Sequence, residues 1–327
     1  MQPPTELVEF LNREDRFLIA THMNPDGDAI GSALALALAL ESLGKSVAVL
    51  DQDPVPEQYR FLPESSRFCT FSSLAETGVS IESCNNLILV DCNDLSRVTP
   101  DRELAARFGF RNALVIDHHA TRSSFGTVKW IDPSAAATGL LVLAVIDALG
   151  VSVSGSMATN LYAALVVDTG NFRFENTDPS VLRAAARLAE AGAHPTAICR
   201  ALYESWSLAR LALFGRFLNT LEMNGRVAMT VVTLQMLQET GARPEDTETF
   251  VEFLKIVNEA DVTILVRELE KNYYKLSLRS KGVINVAVVA EAFGGGGHAN
   301  AAGFCTRGDS AEVKARILKK LHEQQKG

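Results

Sequence analysis

No stretch of the sequence is apolar for long enough to cross a bilayer. The most apolar segment, residues 29–40, falls well short of the roughly 20 residues a membrane helix needs. The opening residues Met1-Gln2-Pro3-Pro4-Thr5-Glu6 lack the basic-then-apolar form of a secretory signal. Cysteine is scarce: Cys69, Cys84, Cys92, Cys199 and Cys305 are odd in number, scattered, and form no CxxC. That fits reduced thiols in a cytoplasmic protein better than a disulfide framework. Basic charge is in deficit, with 31 Lys and Arg against 39 Asp and Glu and a formal net charge of −8. A basic track for long nucleic acid is therefore not indicated. A GxSxG nucleophile elbow is missing, so a serine-hydrolase reading has no anchor. Gly44-Lys45-Ser46 resembles the end of a P-loop, but Ala39 stands where the earlier glycine is required, and the motif follows a helix instead of opening one.

What is present is a globular composition, 47% apolar and 21% charged, over 327 residues. At about 150 residues per domain, that length predicts two domains. Up to about residue 190 the chain alternates short β-branched runs with longer Ala/Leu segments. Strands are predicted at 17–20, 47–50, 87–90 and 113–116. Residues 33–40 alternate Ala and Leu without a polar face, and both are strong helix formers, so a buried helix capped by Gly44 is expected. Further helices are expected at 136–149, 157–166 and 179–191. This α/β alternation predicts a mostly parallel sheet flanked by helices. Residues 196–223 read as an amphipathic helical linker. Residues 224–327 read as a smaller mixed α/β domain, with strands at 226–233, 262–269 and 273–280 and helices at 285–293 and 311–322. The predicted domains are thus 1–195, a linker 196–223, and 224–327.

Four groups of metal-ligand residues lie in the first half: His22, Asp26 and Asp28 in one turn-rich segment; Asp91 after a strand; Asp117-His118-His119 after a strand; and Asp168 after an apolar run. Any one of these is ordinary as a turn or cap residue. Three groups at the carboxyl ends of parallel strands, where open α/β sheets bind ligands, point jointly to a metal site. Four carboxylates with imidazoles suit Mn²⁺, Mg²⁺ or Fe²⁺. Two divalent ions would cancel the four charges, and a pair about 4 Å apart can hold a hydroxide and clamp phosphoryl oxygens. In the second half, Gly294-Gly295-Gly296-Gly297-His298 offers backbone N–H groups to an anion, with Arg279 as a further candidate. His194, before Pro195, and His322, in a polar helix, are read as structural.

In order and spacing, His22-x-x-x-Asp26-x-Asp28, Asp91, Asp117-His118-His119 and Asp168 resemble the four motifs of the DHH phosphoesterase superfamily, and Gly294–His298 resembles its DHHA1 domain. Length and layout are similar to the subfamily of bifunctional oligoribonucleases (nanoRNases) and pAp phosphatases. The resemblance implies that His22, Asp26 and Asp91 hold one metal, and that Asp28, Asp91, His118 and Asp168 hold a second, with Asp91 bridging. It implies that His119 contacts the scissile phosphate or leaving oxygen, and that Arg279, Gly295, Gly296, Gly297 and His298 bind substrate from a facing domain. Two Mn²⁺ per site are implied, with Mg²⁺ admissible. Substrates would be short RNA oligonucleotides, released as 5′-mononucleotides, and pAp, converted to AMP and phosphate; a homodimer is allowed for. The runner-up is a soluble phosphodiesterase of cyclic dinucleotides or their linear products. Leu140, in Ala136-Ala137-Thr138-Gly139-Leu140, replaces an acidic residue that relatives often carry.

Overall fold

The computed structural model describes residues 1–74, 81, 85–120 and 124–325. It comprises two compact units, Met1–Ser205 and Trp206–Gly327. The first is built on six parallel strands: β1 (Arg16–Ala20), β2 (Ser46–Asp51), β3 (Phe68–Thr70), β4 (Asn86–Val90), β5 (Asn112–Asp117) and β6 (Val128–Ile131). Their order is β3-β2-β1-β4-β5-β6. The chain reverses direction of growth between β1 and β4, which is the switch point where such sheets open a crevice at their carboxyl edge. The mostly parallel, helix-flanked sheet expected from the sequence is therefore present.

Alternation along each strand feeds two cores. Ile88 and Val90 of β4 join the core formed with the helices Gly27–Ser42, Thr138–Ala148 and Gly155–Asp168, while Leu87 and Leu89 face a second, smaller core with Leu18, Cys92 and Val115. The Ala/Leu helix is longer than residues 33–40. It starts at Gly27, is N-capped by Asp26, and is buried along most of its length. Gly44 follows it at φ +80°, as a C-terminal glycine should. The sequence reading also missed Thr5–Arg13, β3 and β6.

Residues 196–223, expected as one linker, are instead divided between the units. The helix Pro195–Tyr203 sits in the first, with Ile198 in its core. The helix Leu208–Leu218 sits in the second, where Leu213, Phe214 and Phe217 pack with Phe250. Of the apolar residues that give this stretch its amphipathic look, Trp206 and Phe214 join the second unit's core, whereas Tyr203, Leu211 and Leu218 stay exposed.

The second unit holds a mixed sheet of β7 (Glu222–Asn224), β8 (Val227–Val232), β9 (Val262–Glu270), β10 (Tyr273–Ser280), β11 (Gly296–His298) and β12 (Ala301–Arg307), in the order β11-β12-β10-β9-β8-β7. Among the described residues of this unit, only β8 and β9 pair in parallel. The glycine run is thus a hairpin edge, not an open loop. Gly294 N–H donates to Glu291 O and Gly295 N–H to Ala290 O, closing the preceding helix Val286–Glu291. A Cβ on Gly295 would lie 2.2 Å from Gly303 O, and one on Gly297 2.4 Å from Ala301 O. These glycines are required by backbone approach, and the Gly295 N–H is not available to an anion. Among the described residues no helix is long and apolar enough to cross a membrane, and Cys69, Cys92, Cys199 and Cys305 are free thiols. Cys84 lies outside the described residues.

The helices Gly27–Ser42 and Gly155–Asp168 come very close at Gly31, where a Cβ would stand 2.3 Å from the backbone oxygen of Asn160. Helix propensity alone predicts that Gly31→Ala stabilises by about 1 kcal/mol. The contact reverses the sign: we expect destabilisation by about 2 kcal/mol, read as a lowered urea midpoint of the first unit. A raised midpoint would show that the two helices separate freely.

Candidate metal centre

The site is assembled from the segments that leave β1, β4 and β5, joined by the start of the helix Thr138–Ala148 and the end of Gly155–Asp168. His22 follows β1. Asp26 closes the loop that carries His22 and is the helix N-cap, whereas Asp28, which the sequence placed in the same loop, lies in the first helical turn. Asp26 Oδ1 accepts from the N–H groups of Asp28 (2.9 Å) and Ala29 (3.1 Å), which leaves Oδ2 for another partner. Asp91 follows β4 with φ +60°, a left-handed conformation that is strained for a non-glycine residue. Its N–H donates to Ile116 O at 3.0 Å. His118 and His119 follow β5. Asp168 ends its helix, and Asn176 Nδ2 holds its carbonyl at 3.0 Å and that of Ala136 at 3.1 Å.

The six residues expected as ligands converge. His22, Asp26 and Asp91 bring ligand atoms within 4.8 Å of one another, and so do Asp28, His118 and Asp168. Asp91 faces both groups: Oδ2 lies 3.4 Å from His22 Nε2, and Oδ1 lies 3.6 Å from His118 Nε2. His118 Nε2 is also 3.1 Å from Asp168 Oδ2 and 3.8 Å from Asp28 Oδ2. Ring orientation is fixed from behind. The Nδ1 atoms of His22 and His118 lie 2.9 Å from Met23 O and 3.2 Å from Ala135 O. Each ring thereby hands Nδ1–H to a carbonyl and presents Nε2, the arrangement that metal-binding histidines adopt.

Electrostatics point the same way. Burial, with the charges of Asp91 and Asp168, pushes Asp26 up to about 6. Burial likewise raises Asp28 and Asp168. Burial works against charge on His22, yet Asp91 and Asp26 carry it up to about 9. Burial opposes charge on His118 too, yet Asp168, Asp28 and Asp91 carry it up to about 10. Asp91 alone falls, its desolvation outweighed by the three histidines. This is the pattern of negative charge in excess of its cations. A nitrogen-and-oxygen donor set with that surplus fits divalent metal.

The sequence reading missed the residues that aim the carboxylates. Asp28 is fully buried. Its Oδ1 accepts from Ser32 Oγ (2.8 Å) and Gly139 N–H (2.9 Å), and its Oδ2 from Thr138 N–H (2.7 Å). Thr138 Oγ1 donates to Asp91 Oδ1 at 2.8 Å. One helix N-terminus therefore fixes two carboxylates and adds its positive dipole end. The signal was the run of small residues 135–139, whose size admits this approach: a Cβ on Gly139 would meet Ala164 Cβ at 2.8 Å. Leu140 turns inward and belongs to the apolar core. Behind His22, Thr21 Oγ1 donates to buried Asp51, which burial pushes up to about 6.

The second-unit candidates are placed less simply. Arg279 on β10 is paired with Glu252 and also donates to Leu278 O at 3.0 Å. Gly296 and Gly297 lie in β11. The His298 backbone ends that strand, and its side chain lies outside the described residues. His194 is the N-cap residue of Pro195–Tyr203, and His322 Nδ1 lies 2.7 Å from Leu318 O, in keeping with structural roles.

Thr138→Val removes the hydroxyl donor but keeps the shape. Loss of such a supporting hydrogen bond should weaken divalent-metal binding about tenfold by calorimetry, while Thr138→Ser retains it. Equal losses in both variants would assign the effect to packing.

Residues 16–167 match the N-terminal domain of the DHH family, and residues 224–327 match the DHHA1 domain. The chain is 36% identical over 313 residues to the bifunctional oligoribonuclease and PAP phosphatase NrnA of Thermus thermophilus, covering 95% of this chain and 90% of that protein. It is 25% identical to NrnA of Bacillus subtilis, covering 91% and 92%. An exopolyphosphatase-related protein from Bacteroides fragilis superposes with a TM-score of 0.92 at 25% identity, over 99% of this chain and 97% of that one. Thermus thermophilus RecJ, crystallised with Mn²⁺, shares the fold alone, with a TM-score of 0.54 and 15% identity over 97% of this chain and 54% of its own. With both domains matched in order and the similarity extending along nearly the whole length, the chain belongs to the DHH/DHHA1 phosphoesterase family.

Proposed function

We propose that the protein hydrolyses short oligoribonucleotides to 5′-mononucleotides and converts pAp to AMP and phosphate, using two divalent ions, Mn²⁺ or Mg²⁺. The observation that carries the two-ion reading is the division of Asp91, whose two oxygens face different sets of ligand atoms. The substrate reading is supported by similarity to the two NrnA proteins, named for those activities, over more than nine-tenths of the chain.

In this reading His22, Asp26 and Asp91 hold one ion, and Asp28, Asp91, His118 and Asp168 the other. Two ions so held would polarise phosphoryl oxygens and activate a water for attack at phosphorus. The chain's own groups fix the frame. Thr138 and Gly139 restrain Asp28 and Asp91, Asn176 anchors the backbone at Asp168, and the two histidine rings are locked through Nδ1. His119 contacts the scissile phosphate or the leaving oxygen. In the second unit, Arg279, the backbone at Gly296 and Gly297, and His298 bind substrate. Arg279 already holds a carboxylate, that of Glu252, so a phosphate binds there by exchanging one anion for another.

Purified protein with Mn²⁺ should consume di- to pentaribonucleotides and pAp. Inactivity toward both in folded, metal-loaded protein overturns the proposal. The assay panel should include pyrophosphate and linear and cyclic dinucleotides; preference for a cyclic dinucleotide would replace the substrate. Asp91→Asn suits the left-handed backbone that Asp91 occupies, since Asn tolerates it. It should lower kcat by about 10³-fold or more without lowering the melting temperature of the metal-free protein. Arg279→Ala should raise KM for a dinucleotide only about threefold, equivalent to about 0.6 kcal/mol, with kcat retained; an equal fall in kcat would place Arg279 among the transition-state contacts.

A further inference from the structure

Asp117 opens the Asp117-His118-His119 run yet stands outside the ligand groups. It is fully buried, and its two oxygens are divided. Oδ2 accepts from Asn93 Nδ2 at 2.6 Å. Oδ1 accepts from the His119 N–H at 3.2 Å and lies 2.7 Å from Nδ1 of the His119 ring. Asn93 is itself 1% exposed and sits two residues beyond Asp91. The segments leaving β4 and β5 are thus tied together beneath the His119 ring.

The His119 ring has a competing partner. Asp91 Oδ1 lies 3.5 Å from Nδ1, and Asp91, His118 and His119 could together offer a third ligand set. The shorter contact to Asp117 takes Nδ1 out of that set. Nε2 is then the ring nitrogen with no hydrogen-bond partner among the described residues. The choice needs enforcing, because the second side-chain torsion of histidine is broad and nearly two-fold. Asn93 is suited to enforce it. A carboxylate oxygen accepts, and the Asn93 amide supplies the donor that a carboxylate at position 93 would lack.

We propose that Asn93 and Asp117 are positioning residues: Asn93 orients the Asp117 carboxylate, and Asp117 holds the His119 ring so that Nε2, not Nδ1, meets the phosphoester. The inference rests on the phosphoesterase reading above and adds to it how one imidazole is kept for substrate while its neighbour serves metal.

A double-mutant cycle on the full chain tests it, using a linear diribonucleotide and bis(p-nitrophenyl) phosphate with Mn²⁺. Asp117→Ala and His119→Ala should each lower kcat about 100-fold with KM little changed. The double variant should lose no more than the worse single variant, because Asp117 acts only through His119. Losses that multiply to about 10⁴-fold overturn the proposal, as does loss of Mn²⁺ binding in Asp117→Ala by calorimetry. If Asp117→Ala does not fold, Asn93→Ala enters the same cycle with an expected loss of about tenfold that vanishes in the His119→Ala background; persistence of that loss also overturns it. Wild-type hydrolysis of the nitrophenyl ester without the diribonucleotide defeats the substrate reading alone and leaves the cycle readable. Hydrolysis of neither defeats both.

Discussion

Asp28 and Asp91 carry carboxylates into the interior of a parallel-sheet unit, where an unpaired ionised group costs several kcal/mol even after relaxation. Much of the surrounding structure offsets that cost. The N-terminus of the helix Thr138–Ala148 supplies two amides to Asp28, Ser32 supplies a hydroxyl, and Thr138 supplies another to Asp91. Asp26 uses one oxygen to cap its own helix. These donors are enough to hold each carboxylate in one orientation. They are too few to neutralise four, and Asp26, Asp28 and Asp168 are pushed upward by burial first and by their neighbouring carboxylates second. Divalent ions, as proposed, would offset the remaining negative charge without adding side chains.

The fold makes such crowding feasible. Only at the switch point between β1 and β4 do neighbouring strands send their chains to opposite sides and leave an opening. The site's residues leave β1, β4 and β5, which are adjacent in the sheet. The remaining parts come from helices that must approach within backbone contact. Gly31 against Asn160 and Gly139 against Ala164 show why small residues are needed. Asp91 contributes a strained backbone, which turns its carboxylate between the two groups of ligand atoms. The strain and crowding of the site are thus offset by packing elsewhere in the unit, in the buried Ala/Leu helix above all.

Much of this was legible in the sequence, for reasons that differ by residue. Strands β1, β4 and β5 are short β-branched runs, and a ligand residue after each is a local signal. The two helices carrying Asp28 and Asp168 follow from composition, although Asp28 itself reads as part of a turn-rich segment, because Asn24-Pro25 and Gly27 have turn chemistry while the Asp26 cap opens the helix earlier. Thr138 and Gly139 could not be found this way: their partner Asp28 is 110 residues distant in sequence from Thr138, and small residues carry no chemical label. Asn93 was invisible for a similar reason, since its partner Asp117 lies on another strand. The glycine run misled in a different way. Glycine depresses any strand prediction, and the need for it at Gly295 and Gly297 lies in a backbone crossing by residues 301–303.

The acidic composition takes a definite meaning once the site is in view. The formal charge of −8 includes Asp26, Asp28, Asp91 and Asp168, and two divalent ions would bring the total to about −4 and the site itself near neutrality. A long polyanion would still find no surplus of cationic side chains to release its counterions. In the second unit the arginine best placed by sequence to receive a phosphate is already paired with Glu252, and exchange of one anion for another yields little net energy at a partly exposed pair. Both features weaken binding that grows with strand length. They would leave binding that depends on one or two phosphates at the proposed metal centre, which accords with the proposed preference for short oligonucleotides and pAp over extended RNA.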